Sequence, residues 1–151
     1  MPPGKAALIV ASMVVAACTA NAKDCAPTPQ QTLWGGNERI VIVQRRALKR
    51  LQGRVVTTLD SNEGWNGVLV EVFDHPEVNV QPYGLRRETQ KRITGCKTDA
   101  TGQFSFEVPP GHYELRLSYG SGINVSSILA RVSRSPFASR KQLRATLHAG
   151  M

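Results

Sequence analysis

Between Gln103 and Tyr119 the chain alternates apolar and polar side chains twice, with Pro109, Pro110 and Gly111 separating the two runs. Phe104, Phe106 and Val108 alternate with Gln103, Ser105 and Glu107; Tyr113, Leu115, Leu117 and Tyr119 alternate with Glu114, Arg116 and Ser118. A period of two belongs to strands and sends successive side chains to opposite faces, so each run has one apolar face to bury. The prolines donate no N–H and end the first strand. Upstream, Asp99 and Gly102 bring turn chemistry, because aspartate bonds its own backbone and glycine accepts positive φ. The stretch 98–118 therefore reads as turn, strand, tight turn and returning strand, a central hairpin around which the rest folds. With 99–102 as a four-residue turn, Thr98 faces Gln103, Lys97 faces Phe104 and Cys96 faces Ser105. That register puts Cys96 outside the core. No side chain in the stretch is an obvious catalyst.

The N-terminus sets the compartment. MPPGK, carrying Lys5, precedes AALIVASMVVAA, an apolar run too short to span a bilayer, as in an export signal covering residues 1–17. Val15-Ala16-Ala17-Cys18 resembles a lipobox, which makes Cys18 the candidate lipidation site; cleavage after Ala22, at the small-x-small sequence Ala20-Asn21-Ala22, is the alternative. Thr19 after the cysteine fits an outer-membrane address. Residues 18–36 are small, polar and Pro/Gly-containing and read as a flexible tether. Residues 37–151 suffice for one domain with one core.

Within that domain, short strands are expected at 39–43, 51–58, 68–73, 104–108, 113–119, 123–134 and 143–147. The connections are QRRALKR (44–50), DSNEGWNG (60–67), the long stretch 74–87 with an edge strand near 78–80, and the break at Ser135-Pro136. Lys91 to Thr98 leads into the central hairpin. About seven short strands without a long helix describe an all-β, immunoglobulin- or transthyretin-like antiparallel β-sandwich.

The order GRVV, turn, NGVLVEVFD, long loop, TDATGQFSFEVPPGHYELRL resembles the carboxypeptidase regulatory-like domain, a transthyretin-like, prealbumin-type sandwich, over Leu51 to Gly150. The resemblance implies a non-enzymatic binding or structural module of the cell envelope, with no catalytic residues and no cofactor. Active relatives of the fold leave little trace here. The hydroxyisourate hydrolases end in Tyr-Arg-Gly-Ser, where this chain ends Leu147-His148-Ala149-Gly150-Met151; the intradiol dioxygenases hold iron with two Tyr and a His-x-His pair, where His75, His112 and His148 are scattered. Glu114 lies too early to match the glutamate that promotes isopeptide bonds in pilin-type adhesin domains. A small envelope enzyme on the same sandwich is the second reading, and it requires titratable groups converging in one cleft.

Charge suggests a partner. The chain carries +8, of which the leader's Lys5 is one, and the basic residues clump in QRRALKR, RRETQKR (86–92) and RSPFASRKQLR (134–144). All three fall in connections or at strand ends and could gather on one rim. An exported protein does not meet cytosolic nucleic acid, so the polyanions open to it are lipid headgroups, lipopolysaccharide or acidic polysaccharide; an envelope protein is the other partner class. Solvated loops are the plain alternative. Trp34 and Trp65, in Gly-rich stretches, either stack on a sugar or cover an end of the core. His112 reads as a solvated turn residue, and Asn124-Val125-Ser126 is an incidental glycosylation sequon.

With Cys18 lipidated or removed, Cys25 and Cys96 are the remaining thiols. An oxidising envelope favours a Cys25–Cys96 disulfide pinning the tether to the hairpin, and two free thiols are the alternative, one bulge sufficing to turn Cys96 inward. Some sequences that resemble this family carry a second cysteine where Ser105 stands, which implies a cross-strand bridge that has no partner here.

The lipobox reading is checked by Cys18→Ala, which is expected to release the protein from membranes. Unchanged membrane fractionation, with masses showing cleavage after Ala22 in both forms, would refute it.

Overall fold

The alternating runs form strands. A computed structural model describes residues 25–29, 40–74, 90–120 and 126–147, and the strands among them are β1 (Ile40–Val43), β2 (Leu51–Val56), β3 (Leu69–Asp74), β4 (Arg92–Lys97), β5 (Gln103–Phe106), β6 (Gly111–Ser118), β7 (Ser126–Val132) and β8 (Leu143–Thr146). They make two sheets, one ordered β1-β7-β6-β3-β4 and the other β5-β2-β8. The fold is an all-β sandwich. It is the expected sandwich of about seven strands: among the described residues there are eight, β4 being the addition, and two of the pairings, β1 with β7 and β2 with β8, are parallel rather than antiparallel. The possible edge strand at 78–80 lies outside the described residues.

The inward faces supply the core. Leu51 and Val55 of β2, Phe104 and Phe106 of β5, and Leu143 and Ala145 of β8 meet Val70 and Val72 of β3, Tyr113, Leu115 and Leu117 of β6, and Ile128, Ala130 and Val132 of β7. Within the smaller sheet Gly53 lets three strands approach closely: a Cβ there would lie 2.6 Å from the Leu143 carbonyl oxygen and 2.8 Å from the Phe104 ring. Phe104, its cross-strand partner, fills the space a side chain would take.

The central hairpin is not a hairpin. β4 pairs with β3, β5 with β2, and β6 with β3 and β7, so the chain changes sheet at both turns. The turn residues behave as expected. Asp99 Oδ1 accepts the N–H of Thr101 at 2.8 Å and of Gln103 at 2.9 Å, and Gly102 has φ 78°. The groups on either side are committed elsewhere: Thr98 N–H donates to the Val68 carbonyl at 2.9 Å and Val55 N–H to the Gly102 carbonyl at 2.8 Å. At the second crossing Pro109 and Pro110 have no N–H for a ladder, and the Tyr113 hydroxyl donates to the Pro109 carbonyl at 2.5 Å, holding the corner. Burial, followed by the negative charge of Asp74, raises the Tyr113 pKa above the usual phenol value, so the group stays a donor. Two strands with one apolar face each bury both faces by facing across a sandwich, whereas side by side they would still need a second layer to cover them.

The changed register moves Cys96. It pairs with Val70 and is fully buried in the core, not outside it beside Ser105. The expected disulfide is nevertheless present, because Cys25 approaches from the tether: Cys25 and Cys96 are bonded with Cα atoms 5.7 Å apart, and Cys25 packs against the core. Thr28 N–H continues the attachment by donating to the Gly95 carbonyl at 2.7 Å.

The bond closes a sequence separation of 71 residues. Non-reducing peptide mapping of never-reduced protein should yield a cross-linked Cys25–Cys96 peptide. Cys25→Ala should lower the unfolding free energy in urea by up to about 4 kcal/mol. Two alkylatable thiols in the folded protein would refute the bridge.

Candidate functional site

The stretches 40–59 and 115–151 contain no Asp or Glu, and two of the three basic runs lie in them. The parallel docking of β1 on β7 brings those two runs together. After β1 the chain continues beside β7, where Leu48, 1% exposed, bridges Val132 and Ser139. Four backbone hydrogen bonds lock the connections: Leu48 N–H to Arg131 O at 2.7 Å, Ser133 N–H to Leu48 O at 2.9 Å, Lys49 N–H to Ser139 O at 2.8 Å, and Ser139 N–H to Ala47 O at 2.7 Å. Exposed Arg45, Arg46 and Lys49 thus lie on a connection bonded to the one that carries exposed Arg134, Arg140 and Lys141, and the two connections form a basic ledge. Arg131 on β7 is exposed beside it, and its register partner on β6 is the exposed His112.

Not every basic residue joins. Half-buried Arg50 donates to Ser105 Oγ at 2.8 Å. Arg144 turns away to the carbonyls of Leu59 and Ser61. In the third run, 86–89 lie outside the described residues. Lys91 N–H donates to Asp74 at 2.7 Å, and Arg92 donates from Nε to Glu71 at 2.8 Å and from Nη2 to the Thr28 carbonyl at 2.6 Å. That run begins β4 at the same end of the larger sheet, where β3 ends and β6 starts, but its Arg92 serves the fold.

A tight turn projects from the ledge. Ser135 N–H donates to Ser133 Oγ at 3.1 Å, Phe137 N–H to Ser135 Oγ at 3.3 Å, and Ala138 N–H to Ser135 O at 3.0 Å. Ala138 is buried, while Phe137 is 95% exposed. Ser135-Pro136 breaks the strand as the sequence indicates, and the further signal beside it is a large apolar residue inside a basic connection.

The other candidates fall elsewhere. Trp65 is partly buried against the core at the opposite end, its ring 5.3 Å from that of Tyr119, so it covers that end. Cys18, Trp34, His75, Asn124 and His148 lie outside the described residues. Among the described residues no group of three His, Cys, Asp or Glu side chains could hold a metal ion.

A layer the alternation did not reveal lies on the outer face of the larger sheet. Glu114 and Arg116, placed as solvent-facing by the period of two, are both buried, as is Glu71. Arg116 donates to both Glu114 oxygens, at 3.1 and 3.2 Å, and stacks 3.8 Å from the Phe73 ring centroid. Ser127 Oγ and Gln90 Nε2 each donate to Glu114 at 2.8 Å, and Gln90 Oε1 accepts from Arg116 at 2.8 Å. Burial pushes the Glu114 pKa up, but the Arg116 hydrogen bonds and charge, with Ser127 and Gln90, outweigh it and hold the carboxyl below the usual carboxylate value. Protonation is therefore harder in the folded state. The stabilisation is complete above the unfolded carboxylate pKa of about 4.3 and is lost as pH falls through the lower folded value.

Glu114→Gln should accordingly destabilise the protein by about 3 kcal/mol near pH 7 by leaving Arg116 buried beside a neutral partner. The gap from wild type should narrow at acid pH, as the wild-type carboxylate itself becomes protonated. Urea unfolding at the two pH values measures both, and a gap independent of pH would exclude the ionic origin. Set beside known proteins, this chain matches no family model, no curated protein and no solved structure.

Proposed function

We propose that this chain is an exported, non-enzymatic cell-envelope module of carboxypeptidase regulatory-like type, held at a membrane through lipid on Cys18, and that it binds polyanions at its basic end. The observation that carries the reading is the locked juxtaposition of 44–50 and 134–141, which gathers Arg45, Arg46, Lys49, Arg134, Arg140 and Lys141 on one ledge. Like charges are held together there by backbone hydrogen bonds and the buried Leu48, so the positive potential exists before any partner arrives. The Cys25–Cys96 disulfide supports an oxidising compartment, where anionic headgroups and acidic polysaccharides are the abundant polyanions.

Binding to heparin, as a soluble probe polyanion, should weaken by about tenfold or more between ~0.05 and ~0.3 M salt, because exposed charges are screened over about 8 Å at physiological ionic strength. Arg45→Gln with Arg46→Gln should weaken it as strongly as Arg140→Gln with Lys141→Gln. Arg54→Gln, at the Thr101 carbonyl away from the ledge, should leave it unchanged. Salt-insensitive binding, or none at low salt, would overturn the reading.

A further inference from the structure

We propose that the basic ledge docks on an anionic phospholipid bilayer, with Phe137 as the side chain that enters the acyl region. This rests on the polyanion reading and narrows it to one kind of surface. A soluble polyanion needs only charge, and the ledge already provides that. The turn adds a phenyl ring that is 95% exposed at the tip of a connection whose backbone is fixed by the Ser133 and Ser135 hydroxyls and anchored by buried Ala138. Pro136 restricts φ immediately before it. One exposed apolar residue is ordinary on a protein surface. This one stands between Arg134 and the Arg140-Lys141 pair on its own connection, with Arg45, Arg46 and Lys49 on the connection bonded to it. An apolar tip on a connection flanked by cations matches an interface with anionic phosphate outside and hydrocarbon beneath. Phenylalanine, with no polar atom, gains most from the hydrocarbon, and the fixed backbone presents it without first having to be ordered.

The experiment uses residues 19–151, the chain without the proposed leader and lipidated Cys18, so that neither an acyl chain nor the apolar run at 6–17 contributes to vesicle binding. Co-sedimentation with vesicles of phosphatidylglycerol in phosphatidylcholine should exceed that with phosphatidylcholine alone and fall with salt. Phe137→Ser should lower vesicle association about tenfold or more, while heparin binding stays within about twofold. Phe137→Trp should retain association, and its added fluorescence should be quenched by lipids brominated on the acyl chain. Wild-type vesicle association by Phe137→Ser, an equal loss on heparin, or no quenching of Phe137→Trp would overturn insertion while leaving the polyanion reading in place. Failure to bind either vesicles or heparin at low salt would overturn both.

Discussion

The crossing of the chain between Phe106 and Gly111 governs the rest of the molecule. It sets Phe104 and Phe106 of one sheet against Tyr113, Leu115 and Leu117 of the other. It also makes β6 the middle strand of the larger sheet, flanked by β7 and β3. A strand in that position has neighbours on both edges, and here both its faces are buried. Its inner side chains are apolar. Its outer ones, Glu114 and Arg116, offset the penalty of burial by pairing with each other and with Ser127 and Gln90.

That outer layer links distant parts of the chain. Glu71 on β3 binds Arg92 on β4, whose guanidinium reaches the Thr28 carbonyl. Thr28 is fastened to Gly95, and Cys25 to Cys96. The segment 25–29 is thus attached to β4 by a covalent bond, a backbone hydrogen bond and a side-chain hydrogen bond. The three attachments address both faces of β4 and its backbone. A change at Arg92 would therefore loosen the segment as well as the ionic layer.

Strand positions were legible because period-two alternation depends only on which face is wet. β2, β3 and β5 to β8 all fall within or beside the runs read from the sequence. Turn chemistry was legible for the same local reason, as Asp99 and Gly102 show. Pairing was not. A turn of suitable residues closes a hairpin or changes sheet with the same local signals, and only the hydrogen bonds of Thr98 with Val68 and of Val55 with Gly102 decide between them. The two parallel pairings join strands remote in sequence and have no local mark. Burial of Glu114 and Arg116 was hidden because a charged pair reads as solvated until a second layer covers it. The basic ledge was partly legible: the runs are plain in the sequence, but their juxtaposition follows from β1 docking parallel to β7. Cys96 shows the same division, since its partner followed from counting thiols whereas its direction depended on register.

The disulfide also sets the length of a leash. On the proposed attachment at Cys18, the chain between the lipid and Cys25 can span no more than about 25 Å. The Cys25–Cys96 bond would then keep the sandwich in a thin shell above the lipid. The local concentration of its basic end at that surface would be correspondingly high, so that contacts too weak to hold a freely diffusing protein would suffice for a tethered one.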